Sequence, residues 1–244
     1  MCNALMPRLP RTAGRSVFVI VMTVATLSGC AKHADHGHHQ HAHPPYDHRF
    51  DDPEKWARRW NDPARDVWQR PTEIVDLMRI RPGMTVVDLG TGTGYFVPHL
   101  AGAVGENGKV LALDVSDEMI EYIRTKNPAP VNLANVDARV VAPDNAGLPP
   151  AAVDRILIVN TWHHIQERVA YERRLAQGLS PDGMLIIVDY TSDAEPGPPT
   201  HLRLQAETVM AELKSSGLDA RIVTESLPRQ YVVAGSHTGE TDNK

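Results

Sequence analysis

The segment Asp88-Leu-Gly90-Thr-Gly92-Thr-Gly94 constrains the fold of this chain more than any other. It follows the apolar run 85–89 and leads into a stretch of helical periodicity. Glycines at every second position suit neither a helix nor a strand. They let the backbone turn through left-handed conformations and leave it bare for a close approach. A short apolar strand, such a turn and then a helix open a parallel α/β unit, because parallel neighbours need a covering crossover to return the chain to the same edge.

The rest of the chain repeats that alternation. Further strands are expected at 110–114, 138–141, 155–160, 184–189, 220–224 and 230–233, with helices over 95–104, 117–125, 166–179 and 202–215. Ser116 and Asp117 suit a helix N-cap, Gly105 and Gly108 close the helix before them, and Pro181-Asp-Gly183 reads as a turn. Before the first strand, Trp56, Trp60, Trp68, Ile74 and Met78 are spaced for two or three short helices. The expected architecture is α/β: a doubly wound, mostly parallel seven-stranded sheet with helices on both faces. One domain is expected over 49–234, and a frayed tail over 235–244.

Composition excludes several functions. Thirty acidic against 25 basic residues, a formal net charge of −5, gives no broad electrostatic claim on nucleic acid. The only cysteines are Cys2 and Cys30, so thiol and disulfide chemistry have no place in the patterned part, and no metal-ligand set is read there either.

The first 15 residues carry Arg8, Arg11 and Arg15 and no acid, and residues 16–27 are an apolar run of a dozen. A membrane-spanning helix needs about 20 residues, so the run reads as a secretory leader. Leu27-Ser-Gly-Cys30 resembles a bacterial lipobox. The resemblance implies a signal peptide over 1–29 and a lipidated Cys30 anchored in a membrane, and removal of the three arginines leaves the remainder more acidic still. Ala31 gives no inner-membrane retention signal, so the outer membrane facing the periplasm is expected; a mis-called start near Met22 or beyond would instead leave a cytoplasmic protein. Residues 31–48, a flexible tether, hold seven of the twelve histidines, a composition able to chelate a divalent metal or to serve as a polar spacer.

The glycine spacing decides between ligand classes. A dinucleotide fingerprint is G-x-G-x-x-G, whereas here Tyr95 stands where its last glycine falls. The loop resembles motif I of class I S-adenosylmethionine-dependent methyltransferases. Asp114 ends the second strand about twenty residues on, where a carboxylate can accept from both ribose hydroxyls. Leu148-Pro149, the strand Val153-Asp-Arg-Ile-Leu-Ile158 and Leu179-Ser-Pro-Asp-Gly183 extend the resemblance over 62–234, most closely to the quinone-biosynthesis C-methyltransferase group.

That resemblance implies a Rossmann-like fold, S-adenosylmethionine as cofactor and a small-molecule acceptor. It implies cofactor contacts from Asp88, Gly90, Thr91, Gly92, Gly94, Asp114 and Asn160. Asp144, with Ala142 and Pro143, is implied beside the adenine, and Asp137 is its rival. The fourth strand ends in Asn160-Thr-Trp-His163-His164, and either histidine could serve as a general base, although adjacent residues cannot easily both enter one pocket. Asp189 and Tyr190 are placed to line the acceptor pocket, and Trp68 and Tyr95 to close over it. Two other readings stay open at this point: a periplasmic binding lipoprotein reusing the fold, and a nicotinamide oxidoreductase.

Overall fold

The computed structural model describes residues 52–126 and 133–237. The expected leader, Cys30, the histidine-rich segment and residues 238–244 lie outside them.

Seven segments rich in Val, Ile and Leu form one sheet: β1 (Thr85–Leu89), β2 (Lys109–Asp114), β3 (Val136–Val140), β4 (Val153–Val159), β5 (Leu179–Tyr190), β6 (Asp219–Val223) and β7 (Gln230–Ser236). Their order is β3-β2-β1-β4-β5-β7-β6. All neighbours are parallel except β7, which runs antiparallel to β5 and β6. The winding reverses between β1 and β4, and sheets of this kind take ligands at the carboxyl ends of the strands flanking that reversal.

Successive side chains on these strands go to opposite faces, and both faces are covered. Val86, Val110, Leu157, Ile186 and Val232 pack under α3 (Pro71–Leu77) and α4 (Val97–Val104) through Ile74, Met78, Leu100 and Val104. Val87, Ile156, Ile158, Ile187 and Val233 pack under α6 (Arg168–Gly178) and α7 (Ala206–Ser215) through Tyr171, Leu175, Val209 and Leu213. Each such fully buried aliphatic side chain contributes about 1.5–3 kcal/mol. Helix α5 (Asp117–Lys126) sets Ile123 against Val97 and Ala112.

The amino-terminal segment forms α1 (Pro53–Trp60), a short 3₁₀ turn (Pro63–Arg65) and α2 (Asp66–Gln69). Local chemistry starts the first two pieces. Asp52 accepts from Lys55 N at 2.9 Å ahead of Pro53, and Asp62 accepts from Ala64 N at 2.9 Å ahead of Pro63. Ser116 caps α5 by accepting from Met119 N at 3.2 Å, which leaves Asp117 as its first residue.

Most boundaries shift by a few residues from expectation, and three of the differences have a physical reason. Tyr95 and Phe96 stay in the glycine loop, and α4 begins at Val97. The expected turn at 181–183 is instead an irregularity inside β5, where Val153 pairs with Leu179 and Arg155 next pairs with Met184. Gly235 and Ser236, expected in a tail, extend β7 because both of its neighbours offer hydrogen bonds, with Gly235 opposite Leu185 and Ala220.

Candidate active site

At the end of β1 the chain turns on Gly90 (φ +73°) and Gly92 (φ +53°). Gly90 N and Thr91 N donate to Leu113 O at 2.8 and 3.0 Å, which ties the turn to β2. A Cβ on Gly90 would lie 2.4 Å from the Thr161 side chain, so no other residue fits there without a shift. Asp114 sits beside the loop. Its Oδ2 accepts from Gly92 N at 2.8 Å and its Oδ1 from Ser116 N at 3.0 Å, which fixes the carboxylate and leaves lone pairs on both oxygens. Asp88 is buried below and accepts from Thr91 Oγ1 at 2.7 Å. Burial pushes the Asp88 carboxyl up to about 7; the Thr91 hydrogen bond opposes this, Asp114 adds to it, and Arg65 opposes it. Burial also raises Asp114, against its backbone donors. Val115, the next residue, is 58% exposed and offers an apolar patch at the edge.

The two adenine candidates separate. Asp144 lies exposed in the turn after β3, where Asn145 N donates to Ala142 O at 3.1 Å. Asp137 does not reach the edge, and that expectation is corrected. It is the second residue of β3, at the opposite end of the strand, where it pairs with Lys109 at 3.0 Å and with Arg139. Those cations hold its carboxyl well below the usual range.

The amino-terminal segment reaches the same edge. Trp60 covers Gly92, its ring 3.2 Å from where a Cβ would stand, and stacks on Trp56 at 4.8 Å. Thr93 Oγ1 donates to Asn61 Oδ1 at 2.7 Å. Arg65 then links this cover to the strands. Its Nη1 donates to Trp60 O at 2.9 Å, and its Nε and Nη2 donate to Gln69 Oε1 at 3.2 and 2.8 Å. Gln69 Nε2 donates to Gln230 Oε1 at 2.7 Å, and Gln230 Nε2 to Asn160 Oδ1 at 2.6 Å. Asn160, expected at the cofactor, therefore commits its carbonyl to this amide chain. The Arg65 guanidinium lies 4.0 Å over the Tyr95 ring and 5.7 Å from Trp68, which stacks on Tyr190 at 6.3 Å.

After β4 a 3₁₀ turn (Trp162–His164) turns one histidine in and leaves the other out. Trp162 is fully buried and its Nε1 donates to Glu212 at 2.9 Å. His163 Nδ1 lies 2.8 and 2.9 Å from the two oxygens of Asp189, whose carboxylate also accepts from the backbone N of His163 and of Tyr190. His164 is exposed, its ring 4.1 Å from that of His163. The carboxylate takes Nδ1–H, so the hydrogen-bond network assigns Nε2 as the acceptor nitrogen. Sequence reasoning put Asp189 near an acceptor without its role as orienter of His163. It missed Arg65, Gln69, Gln230 and Trp60 as part of the site, since the first three look like ordinary surface polar residues and Trp60 like core.

The sequence matches the family described as "Methyltransferase domain" over residues 80–228. The chain belongs to that family. Its fold is that of class I S-adenosylmethionine-dependent methyltransferases. A ubiquinone/menaquinone biosynthesis C-methyltransferase from Shewanella sp. (strain ANA-3) is 29% identical over 124 residues, which are 51% of this chain and 49% of that protein. The chain thus matches about half the length of such relatives. A crystal structure of a SAM dependent methyltransferase from Aquifex aeolicus superposes with a TM-score of 0.68 at 29% identity, covering 75% of this chain and 97% of that one. A TehB-like SAM-dependent methyltransferase from Corynebacterium glutamicum gives 0.55 at 17% identity, covering 76% and 97%. That last likeness is one of fold alone.

Proposed function

We propose that this domain transfers a methyl group from S-adenosylmethionine to a small-molecule acceptor at the carboxyl edge of the sheet. The observation that carries the reading is the Asp114 carboxylate, fixed by Gly92 N–H and Ser116 N–H beside the glycine turn. The residues present suit that cofactor. Backbone at Gly90 and Gly92 can meet an amino-acid group, with Asp88, Thr91 and Gly94 shaping the turn. Asp114 can accept from vicinal hydroxyls, and Val115 can lie under a planar base with Asp144 at its rim. Once bound, the cofactor supplies a methyl group on a positively charged sulfur, open to in-line displacement.

Such a displacement gains most from holding the reacting atoms in line, and the protein's part is to position, to exclude water and to move one proton. The α1 segment, with Trp60 over Gly92, closes the loop side. His163 Nε2 takes the acceptor's proton, and Asp189 holds the ring and stabilises the imidazolium that forms. His164, exposed beside it, is the poorer candidate for that step. Calorimetric titration of S-adenosylmethionine into the full chain, with a chelator present to silence the histidine-rich segment, tests the reading. Binding that Asp114→Ala weakens by about 30–150-fold supports it. A folded chain that binds no cofactor sinks it.

The placement of the protein belongs to the same proposal. A basic stretch, an apolar dozen and Leu27-Ser-Gly-Cys30, in that order, support a chain tethered through Cys30 to the outer membrane on its periplasmic side. Radiolabelled palmitate should enter the wild type and not Cys30→Ser. Equal partition of both into the soluble fraction overturns the tether.

A further inference from the structure

The Arg65 guanidinium is largely enclosed, yet among the described residues it meets no carboxylate. Its hydrogen bonds go to one backbone carbonyl and one neutral amide, which engages three of its five N–H groups. The acids around it are committed elsewhere. Asp88 accepts from Thr91, Asp66 from the Tyr95 hydroxyl, and Asp189 from His163 and two backbone groups. No carboxylate among the described residues reaches this cation directly: burial works against its charge, and Asp88 and Asp66 act on it only through their fields.

The surroundings repeat the sign. Arg229 lies 5.6 Å from the Trp68 ring, and Arg65 lies 5.7 Å from the same ring. Trp68 in turn stacks on Tyr190, whose hydroxyl is in the field of Arg65, Arg59 and Arg229. In a chain of net charge −5, three arginines around one pair of rings are a local feature. Tyr190 follows Asp189 on β5, so the rings and the cations stand next to the His163 pair on the acceptor side of the edge.

We infer that the acceptor is a small planar organic acid, its ring against Trp68 and Tyr190 and its anionic oxygen received by Arg65, with Arg229 at the rim. The inference rests on the methyl-transfer reading for the words "acceptor" and "transfer", and on the arginine geometry for the charge. An anion supplies the direct ion pair that Arg65 lacks and accepts its two unengaged N–H groups in a charge-assisted pair. A neutral acceptor leaves that guanidinium without a direct ion pair, and a cationic one meets three like charges. Arg65 also lies on the Tyr95 face at 4.0 Å, so it is already oriented and loses little freedom on meeting the anion.

Two isosteric probes separate charge from shape: 2-naphthoate and 2-naphthamide, each titrated into the full chain with and without S-adenosylhomocysteine. Calorimetry gives the affinity and tryptophan fluorescence reports Trp68. Naphthoate should bind at least about tenfold more tightly than the amide, with a preference that weakens as salt rises. Arg65→Gln should erase the preference. Arg229→Gln, which touches no buried hydrogen bond, should reduce it by about threefold and keeps the test open if the first variant disturbs the cover. Equal affinity for the two probes, or no naphthoate binding by a chain that binds S-adenosylhomocysteine, overturns the acid-acceptor inference and leaves methyl transfer standing. Naphthoate preference in a chain that binds no S-adenosylhomocysteine keeps the anion site and sinks the methyl-transfer reading. Binding of none of the three overturns both.

Discussion

The two halves of the carboxyl edge are built by different means. On the β1–β2 side the ligand surface is mostly backbone, and most of what shapes it lies between Asp88 and Ser116: the Gly90 and Gly92 turn, its bonds to Leu113 O, and the Asp114 carboxylate. On the β4–β7 side the surface is side chains drawn from far apart. Gln69 and Gln230 meet across 161 positions, and His163 meets Asp189 across 26. A backbone site admits few sequences, so it recurs wherever the same cofactor is bound. A side-chain site can be rebuilt without touching the scaffold, so acceptor choice is expected to reside there.

Four experiments break or sharpen that division. The largest effect belongs to the side-chain half: His163→Gln should lower the rate of S-adenosylhomocysteine release, with acceptor saturating, by about 10²–10⁴-fold and leave cofactor affinity within a factor of about two. If cofactor binding fell in parallel, the halves would not be separable. Asp114→Ala should weaken S-adenosylmethionine by about 30–150-fold in calorimetry, the loss of charge-assisted hydrogen bonds worth about 2–3 kcal/mol.

Asp88 gives the third, through pH. Its folded carboxyl is raised from the ordinary aspartate range to about 7, so between those limits the folded protein holds a proton that the unfolded chain releases. Stability then falls as pH rises through that window and levels off above it. Asp88→Asn keeps the neutral form and still accepts from Thr91. Without cofactor it should melt several degrees above wild type near about pH 8, and the gap should close near about pH 4. The smallest effect is a control. Asp137→Asn removes exposed ion pairs with Lys109 and Arg139, costs about 1 kcal/mol or less in denaturant melts and leaves cofactor affinity unchanged.

The same division explains what could be read in advance. Asp114 was legible because strand, glycine turn and strand fix its place by local rules, and no distant residue need be known. The mostly parallel seven-stranded sheet and its two covered faces followed from the alternation of apolar strands and helices for the same reason. Arg65 was not legible, because its importance comes from the ring of Tyr95 and the amide of Gln69 closing around it, and nothing in Pro63-Ala-Arg65 distinguishes it from an exposed helix-end arginine. Asp137 misled in the opposite direction. It is an acid in the right strand, and only the register Leu111–Asp137 puts it at the wrong end.

Arg65 holds the carbonyl of Trp60, and Trp60 rests on Gly92, so one guanidinium adjoins both the cover of the turn and the rings at the acceptor face. The consequence is temporal. An occupant that meets the two unengaged N–H groups of Arg65 holds the guanidinium, and with it the Trp60 carbonyl, more firmly in place, so residence on one side slows escape on the other. Turnover should then run in a fixed order of arrivals and departures, visible as unequal product-inhibition patterns for the two substrates, with the indole of Trp60 as the clock hand that reports each passage.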